Sequence, residues 1–134
     1  MYRRKIYAAG SMENVSVTEA TFWRNKARNL LPEWDFLDPC RRLHSNKEKE
    51  MRSIFELDLR DIREADCVLV NLNDPKVAKH GTAMEVFYAS YVLHKPVVAF
   101  KAKKDHIHPF LEQVVTEWFA TLEDACDALN SKYL

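Results

Sequence analysis

One carboxylate is prominent in the segment 79–100, which reads KHGTAMEVFYASYVLHKPVVAF. Glu85 follows Gly81 by four residues and opens an otherwise apolar run with helical spacing. Gly81 is one of only two glycines in the chain. A carboxylate at the start of a helix either complements the helix dipole or, at the mouth of a ligand pocket, acts as a nucleophile. The segment alone leaves both interpretations open.

The elements that position Glu85 are predicted to alternate between strand and helix. Short apolar runs predict strands over 5–10, 34–39, 66–73, 95–100 and 118–121. Helical patterns predict helices over 18–31, 46–65, 82–93, 108–116 and 122–131. We expect Thr18 and Thr82 to be N-cap residues, which would put Glu85 in the first turn of its helix. The alternation predicts βαβ units around a parallel sheet with helices on both faces.

In a parallel α/β sheet, ligands bind beyond the carboxyl ends of the strands. The loops predicted at that end are 8–15, 38–46, 72–81 and 101–109. Gly10 and Gly81 both fall in these loops. Glycine is needed where the backbone takes positive φ or approaches a ligand closely, so both positions are candidates for the binding site.

Composition argues against several classes of function. Twenty Lys and Arg residues balance twenty Asp and Glu residues, so nothing favours a nucleic acid polymer or a membrane surface as partner. Three cysteines without CxxC spacing predict neither a disulfide framework nor a zinc site. The acids do not cluster at ligand spacing and the Gly10 region lacks GxGxxG, so we expect neither a metal nor an organic cofactor. Without a predicted signal peptide or membrane span, a cytoplasmic location is expected.

Four segments together resemble the nucleoside 2-deoxyribosyltransferase family. They follow the order of the family and read KIYAAGS at 5–11, DLRDIREADCVLVNLNDP at 58–75, HGTAMEVFYAS at 80–90 and HKPVVAF at 94–100. The family pattern has a first strand of the type IY-small-small-G, an Asp-containing helix that leads into a strand, a Gly four residues before a Glu, and a GKPV-like strand. The resemblance covers most of the chain.

The resemblance implies a single domain over residues 1–134 with a flavodoxin-like (Rossmann-like) α/β fold. This is a three-layer sandwich with a parallel sheet of about five strands. The implied reaction is cleavage of the N-glycosidic bond of a 2'-deoxynucleoside or its 5'-monophosphate. The deoxyribosyl group then passes to another nucleobase or to water. The implied partners are therefore small molecules, and family members build each site from two subunits, which implies a homodimer or larger homo-oligomer.

The resemblance also assigns roles to residues. Glu85 becomes the nucleophile that forms a covalent deoxyribosyl intermediate, since a carboxylate stabilises an oxocarbenium-like transition state and then captures it. Tyr7 matches a strand-one Tyr that orients the nucleophile, although a core aromatic is the alternative. Asp58 matches an Asp that holds or protonates the departing base, although a solvated helix charge is the alternative. Gly81 and Thr82 would approach the sugar.

Two departures from the nucleoside-using branch of the family point to a 5'-phosphate. That branch has an Asp where this chain has Lys79, and an Asn where this chain has His108. Ser11 after Gly10 matches the GS of members that act on 5'-monophosphates. A lysine suits phosphate, whereas a carboxylate suits a hydroxyl donor. We predict that Ser11, Lys79 and His108 form the 5' subsite, together with an Arg from the segment 40–44; a solvated loop at Lys79 is the alternative. Gly10 is a further substrate-binding candidate.

The loop DPCRRLHSNKEKE at 38–50 is predicted to cover the base, with Asp38 and Arg41 as substrate-binding candidates. A solvated basic loop is the alternative. Two other functions stay open for the whole chain. One is a non-catalytic nucleotide sensor on the same fold, and the other is a response regulator, which YAAGSM after the first strand disfavours because it lacks the acidic pair.

Overall fold

The computed structural model describes residues 2–12, 16–42, 47–73, 79–103 and 106–134. Five strands form one parallel sheet: β1 (Lys5–Gly10), β2 (Asp35–Leu37), β3 (Cys67–Asn71), β4 (Val97–Phe100) and β5 (Glu117–Phe119). Their order across the sheet is β2-β1-β3-β4-β5. This is the flavodoxin-like arrangement, so the predicted fold is confirmed.

The helices cover both faces of the sheet, as buried parallel strands require. They are α1 (Val17–Leu30), α2 (Lys47–Glu64), α3 (His80–Phe87), α4 (Pro109–Val114) and α5 (Leu122–Ala128). A 3-10 turn (Pro39–Arg42) follows β2, and π-helical turns over Tyr88–Val92 and Leu129–Tyr133 extend α3 and α5.

Side chains alternate along β1 between two separate cores. Tyr7 and Ala9 face the core that includes Ile62 of α2, Val86 of α3 and Leu111 of α4. Ile6 faces the other core, built with α1 and α5. The period of two therefore assigns Tyr7 to the α2–α3 face and its neighbours to the α1 face.

Two predicted helix starts are wrong. Helix α1 begins at Val17 with Ser16 as its N-cap, because the Ser16 hydroxyl accepts from the Glu19 N–H at 3.0 Å. Helix α3 begins at His80 and has Lys79 at its N-cap position without a side-chain cap. Thr82 is a buried helix residue rather than a cap.

Neither glycine has positive φ, so that reason for their presence is wrong. A Cβ on Gly10 would lie 2.8 Å from Trp23 Cζ2, which makes close packing against α1 the reason for this glycine. The left-handed position belongs to His94, with φ of 56°, where the chain turns from the end of α3 towards β4. No helix within the described residues combines the length and apolar character needed to span a membrane.

Candidate active site

Tyr7 and Glu85 meet at the α2–α3 face of the sheet. The Tyr7 hydroxyl donates to Glu85 Oε2 at 2.7 Å. Tyr7 is fully buried in β1, between β2 and β3, and Glu85 lies in the second turn of α3, not the first. The predicted contact between these two residues is therefore confirmed. A carboxylate in the first turn of a helix would complement the helix dipole. Glu85 lies beyond that turn, and its side chain points at a buried phenol.

The environment of Glu85 favours its neutral form. The pKa of the Glu85 carboxyl is raised to about 7, chiefly by burial and also by the nearby charge of Asp58, while the Tyr7 hydrogen bond and the Arg24 charge oppose the shift. Burial, followed by the Glu85 and Asp58 charges, raises the pKa of Tyr7 well above 10. Tyr7 is therefore a proton donor at neutral pH, and Glu85 is poised between its two forms.

Asp58 lies on α2 and is 8% exposed. Its charge acts on both Tyr7 and Glu85, so the structure brings together the three predicted catalytic residues. The alternative of a solvated helix charge does not fit this burial. Asp61, one turn further along α2, is also buried and accepts from Arg41 Nη2 at 2.6 Å.

Gly81 and Thr82 are in the first turn of α3, before Glu85. A Cβ on Gly81 would meet no atom of the described residues within 4 Å, so with respect to this part of the chain the glycine faces open space. The fold itself does not require a glycine there, in contrast to Gly10. Thr82 is buried beneath the same turn.

The predicted 5' subsite occupies three segments. Gly10 ends β1 and Ser11 follows it, and both lie beside the end of β3, where Gly10 pairs with Asn71. Lys79 directly precedes α3. His108 is exposed and caps α4, because its Nδ1 accepts from the Phe110 N–H at 3.1 Å. Parts of the predicted site loops, residues 13–15, 43–46, 74–78 and 104–105, lie outside the described residues.

Asp38 and Arg41 both make contacts within the protein, Asp38 with α1 and Arg41 with α2. The Asp38 carboxylate accepts from the Cys40 N–H at 2.8 Å and from Arg28 Nη2 at 3.1 Å. Arg41 links the Asp38 carbonyl to Asp61 on α2. Both residues line a shallow pocket of about 400 Å³, whose described walls are Thr21, Arg28, Phe36, Leu37, Asp38, Cys40 and Arg41.

Arg24 is a buried charge that the sequence interpretation missed. It is fully buried in the middle of α1 and acts on the pKa of Glu85. The available signal was its place on the apolar stripe of the helix, where Ala20, Ala27 and Leu31 are the other buried positions. Two alanines on that stripe leave room for a guanidinium.

The chemical groups that meet at this site are a carboxyl group and a phenol. No group of three or more His, Cys, Asp or Glu side chains in this part of the chain is arranged to hold a metal ion. A partly ionised carboxylate held by a phenol, at the carboxyl end of a parallel sheet, can stabilise or capture an electrophilic carbon.

A protein-family model described as nucleoside 2-deoxyribosyltransferase matches residues 6–128. A solved 2-deoxyribosyltransferase from Bacillus psychrosaccharolyticus is 24% identical, with 92% of this chain and 90% of that chain covered and a TM-score of 0.74. A conserved protein from Enterococcus faecalis V583 is 16% identical, with 98% and 99% covered and a TM-score of 0.80. A 2-desoxiribosyltransferase from Leishmania mexicana is 17% identical, with 98% and 99% covered and a TM-score of 0.70. At these identities the likenesses show the fold; no curated protein gave a significant match.

Proposed function

Since the chain belongs to the nucleoside 2-deoxyribosyltransferase family, we propose that it cleaves the N-glycosidic bond of 2'-deoxynucleoside 5'-monophosphates through a covalent deoxyribosyl-Glu85 intermediate. The family supports nucleoside 2-deoxyribosyltransferase activity as the general reaction. The preference for a 5'-phosphate, the covalent intermediate and the choice of acceptor are the parts that we add.

The observation that carries the proposal is the hydrogen bond of 2.7 Å between Tyr7 and Glu85. Tyr7 holds one carboxylate oxygen of Glu85, which restricts the side chain and leaves the other oxygen for the substrate. A fixed nucleophile lowers the entropic part of the barrier. The neutral phenol donates without competing for the electrophilic carbon.

In the first half of the reaction, a carboxylate oxygen of Glu85 forms a bond to C1' as the bond from C1' to the base nitrogen breaks. The bonding electron pair leaves with the base, and Asp58 holds the base or supplies its proton. In the second half, a nitrogen of another base or a water oxygen forms a bond to C1' as the bond from C1' to Glu85 breaks. The bonding electron pair returns to the Glu85 carboxylate, and the proton of the attacking group passes to Asp58. Two displacements at C1' give net retention.

The phosphate preference rests on the residues near the 5' end. Lys79 occupies the N-cap position of α3, the helix that carries Glu85. A cation and a helix N-terminus both favour an anionic group there. Ser11 follows the last residue of β1 and offers a hydroxyl donor to the same group.

We also propose that the protein forms a homodimer or larger homo-oligomer with shared sites. An apolar face runs along the outer side of α3 and its π-helical extension. Met84 is 60% exposed, Phe87 49% and Tyr91 68%, and the Phe87 and Tyr91 rings stack at 5.4 Å. Phe110 of α4 is 79% exposed. Exposed large apolar residues of this density are typical of association surfaces.

The test is to incubate the protein with each of the four deoxynucleoside 5'-monophosphates and each free nucleoside, with and without a second base. Chromatography identifies the products. Base released without an acceptor indicates a hydrolase, and a new nucleotide that forms only with an acceptor indicates a transferase. Glu85→Gln should abolish either product, whereas the control Glu56→Gln should not, because Glu56 is exposed and pairs with Arg52.

Faster cleavage of the free nucleosides would contradict the phosphate preference. No cleavage of any substrate, together with tight nucleotide binding by calorimetry, would overturn the enzymatic proposal in favour of a nucleotide sensor.

A further inference from the structure

Strand β2 is too short to cover the whole of its neighbour β1. Its pairing with β1 ends at Leu37, opposite Tyr7. The carbonyl of Arg4 accepts from the β2 residue Asp35, whereas the carbonyl of Lys5 accepts from Asp66 on the β3 side. Because carbonyls alternate along a strand, those of Ala8 and Gly10 face the β2 side beyond the end of β2.

The guanidinium of Arg24 occupies this place. Its Nε donates to the Ala8 carbonyl at 3.1 Å and its Nη2 to the Gly10 carbonyl at 3.1 Å. Its Nη1 donates to the Ala20 carbonyl of α1 at 2.7 Å. Two N–H donors of one planar guanidinium therefore satisfy the two β1 carbonyls that backbone N–H groups of a longer β2 would satisfy.

The surroundings fix this guanidinium in turn. Arg24 is fully buried, its Nε lies 3.7 Å from Asp38 Oδ1, and its guanidinium carbon lies 4.6 Å from the centre of the Trp23 ring. Gly10 packs on the same group, since a Cβ there would lie 3.3 Å from Arg24 Nη2. Burying a charge is costly unless it is paired and hydrogen-bonded, and here both conditions are met.

We propose that Arg24 is a positioning residue, which completes the edge of β1 and holds the segment Ala8–Ser11 where the sugar and its 5' end bind. The inference rests on the proposed function, because it assigns a task to that site. Arg24 does not contact the reacting atoms in this account. It acts through β1, whose residue Tyr7 holds Glu85 and whose end carries Ser11.

Two variants test this without simply deleting the side chain. Arg24→Lys keeps the charge but loses the two-donor geometry of the guanidinium. Gly10→Ala adds a methyl group that presses on Trp23 and Arg24 and makes only an ordinary contact, at 3.5 Å, with Asn71 of β3. The matched control is Arg28→Lys, since Arg28 lies one turn later on α1 and also bonds to Asp38, but is half-exposed.

We expect kcat/KM for the 5'-monophosphate to fall about tenfold or more in both test variants, because small misplacements of bound substrate are costly. Arg28→Lys should stay within about twofold of the wild type, as expected for a partly exposed ion pair.

A purely structural role would lower the melting temperature without changing kinetics well below it. The second measurement is therefore backbone hydrogen exchange of segment 2–12 without substrate, which should quicken near residues 8–11 in Arg24→Lys and Gly10→Ala only. Hydrogen exchange can be compared even if the wild type proves inactive. Inactivity would contradict the proposed function but not the effect of Arg24 on β1. Folded variants with wild-type exchange and kinetics would overturn the inference, as would loss of folding in both.

Discussion

The two sides of β1 each bury charged groups, but they do so in opposite ways. On the α1 side, Arg24 lies 3.7 Å from Asp38, and each group also has backbone partners. On the α2–α3 side, the carboxylates of Glu85 and Asp58 carry the same sign and lie close enough for the charge of Asp58 to raise the pKa of Glu85. The charges of Arg24 and Asp38 attract each other, whereas those of Glu85 and Asp58 repel each other.

The difference separates charges that serve the fold from those that serve chemistry. Opposite charges with satisfied hydrogen bonds hold the chain in one geometry. A partly buried carboxylate with a pKa of about 7, such as Glu85, is instead costly at neutral pH, and such costs concentrate at functional sites. Removing the charge of Asp38 should therefore destabilise the protein, whereas removing the charge of Glu85 should stabilise it.

The largest expected effect is on activity. Glu85→Gln should lower kcat by at least about 1,000-fold, because a neutral amide can neither attack C1' nor stabilise positive charge there. Product formation from a deoxynucleoside 5'-monophosphate measures it. A variant within about tenfold of the wild type would show that Glu85 is not the nucleophile.

On the α1 side, Asp38→Asn should lower the free energy of unfolding by about 3 kcal/mol, because it leaves the buried Arg24 without its countercharge. Denaturant titration measures this at pH 7. The exposed pair Lys26–Glu123 on α1 and α5 supplies the control, since Glu123→Gln should change stability by less than about 1 kcal/mol. An equally small change for Asp38→Asn would remove the contrast between the two sides.

On the α2–α3 side, Glu85→Gln should raise the free energy of unfolding at pH 8 by about 1–3 kcal/mol. The folded-state pKa of Glu85, about 7, lies above the usual 4.5, so the folded wild type holds more protons than the unfolded chain between these values. Wild-type stability from this group therefore falls as pH rises through that window. Denaturant titrations at pH 4.5 and pH 8 should show the advantage of the variant only at the higher pH. A constant difference at both pH values would argue against a raised pKa.

Tyr7→Phe should lower kcat about tenfold, since it removes one hydrogen bond to the nucleophile. That bond lowers the pKa of Glu85, so its loss should move the acid limb of the pH–rate profile to higher pH. A profile of kcat against pH for the two proteins tests the direction. An unmoved limb would indicate that Tyr7 packs in the core without tuning Glu85.

The smallest expected effect on stability is at Gly81. A Cβ there meets no atom of the residues that the structure describes within 4 Å, and alanine favours a helix, so Gly81→Ala should stabilise the fold by about 0.5–1 kcal/mol. We expect its KM to rise nonetheless, because the added methyl group would stand between the backbone and the sugar. Thermal unfolding and kinetics on one preparation separate these effects. An unchanged KM would mean that the substrate does not approach Gly81.

Much of the fold could be predicted because each element has a local signal. The apolar run at Cys67–Asn71 is a buried strand, and Tyr7 and Glu85, which the structure joins by a hydrogen bond, lie in the motifs that carry the family resemblance. The helix starts were harder, since several polar residues compete to cap α1 and only the backbone geometry selects Ser16. The positive φ of His94 could not be predicted from the sequence, because such a turn is normally marked by a glycine.

The role of Arg24 could not be predicted because it depends on the length of a different element. Nothing in the segment around Arg24 says that β2 ends at Leu37 and leaves two carbonyls of β1 uncovered. The same limit applies to Asp38 and Arg41. Sequence placed them in a loop over the base, whereas their bonds to Arg28, Cys40 and Asp61 depend on how α1 and α2 meet that loop.

The most direct test of the central claim is to trap the intermediate. The protein is mixed with a deoxynucleoside 5'-monophosphate, quenched in acid within the first turnover, and examined by intact-protein and peptide mass spectrometry. We predict a mass increase of one phosphodeoxyribosyl group on the peptide that contains Glu85, absent from Glu85→Gln. Turnover of the substrate with no adduct at any quench time, or an adduct on a different residue, would contradict the account.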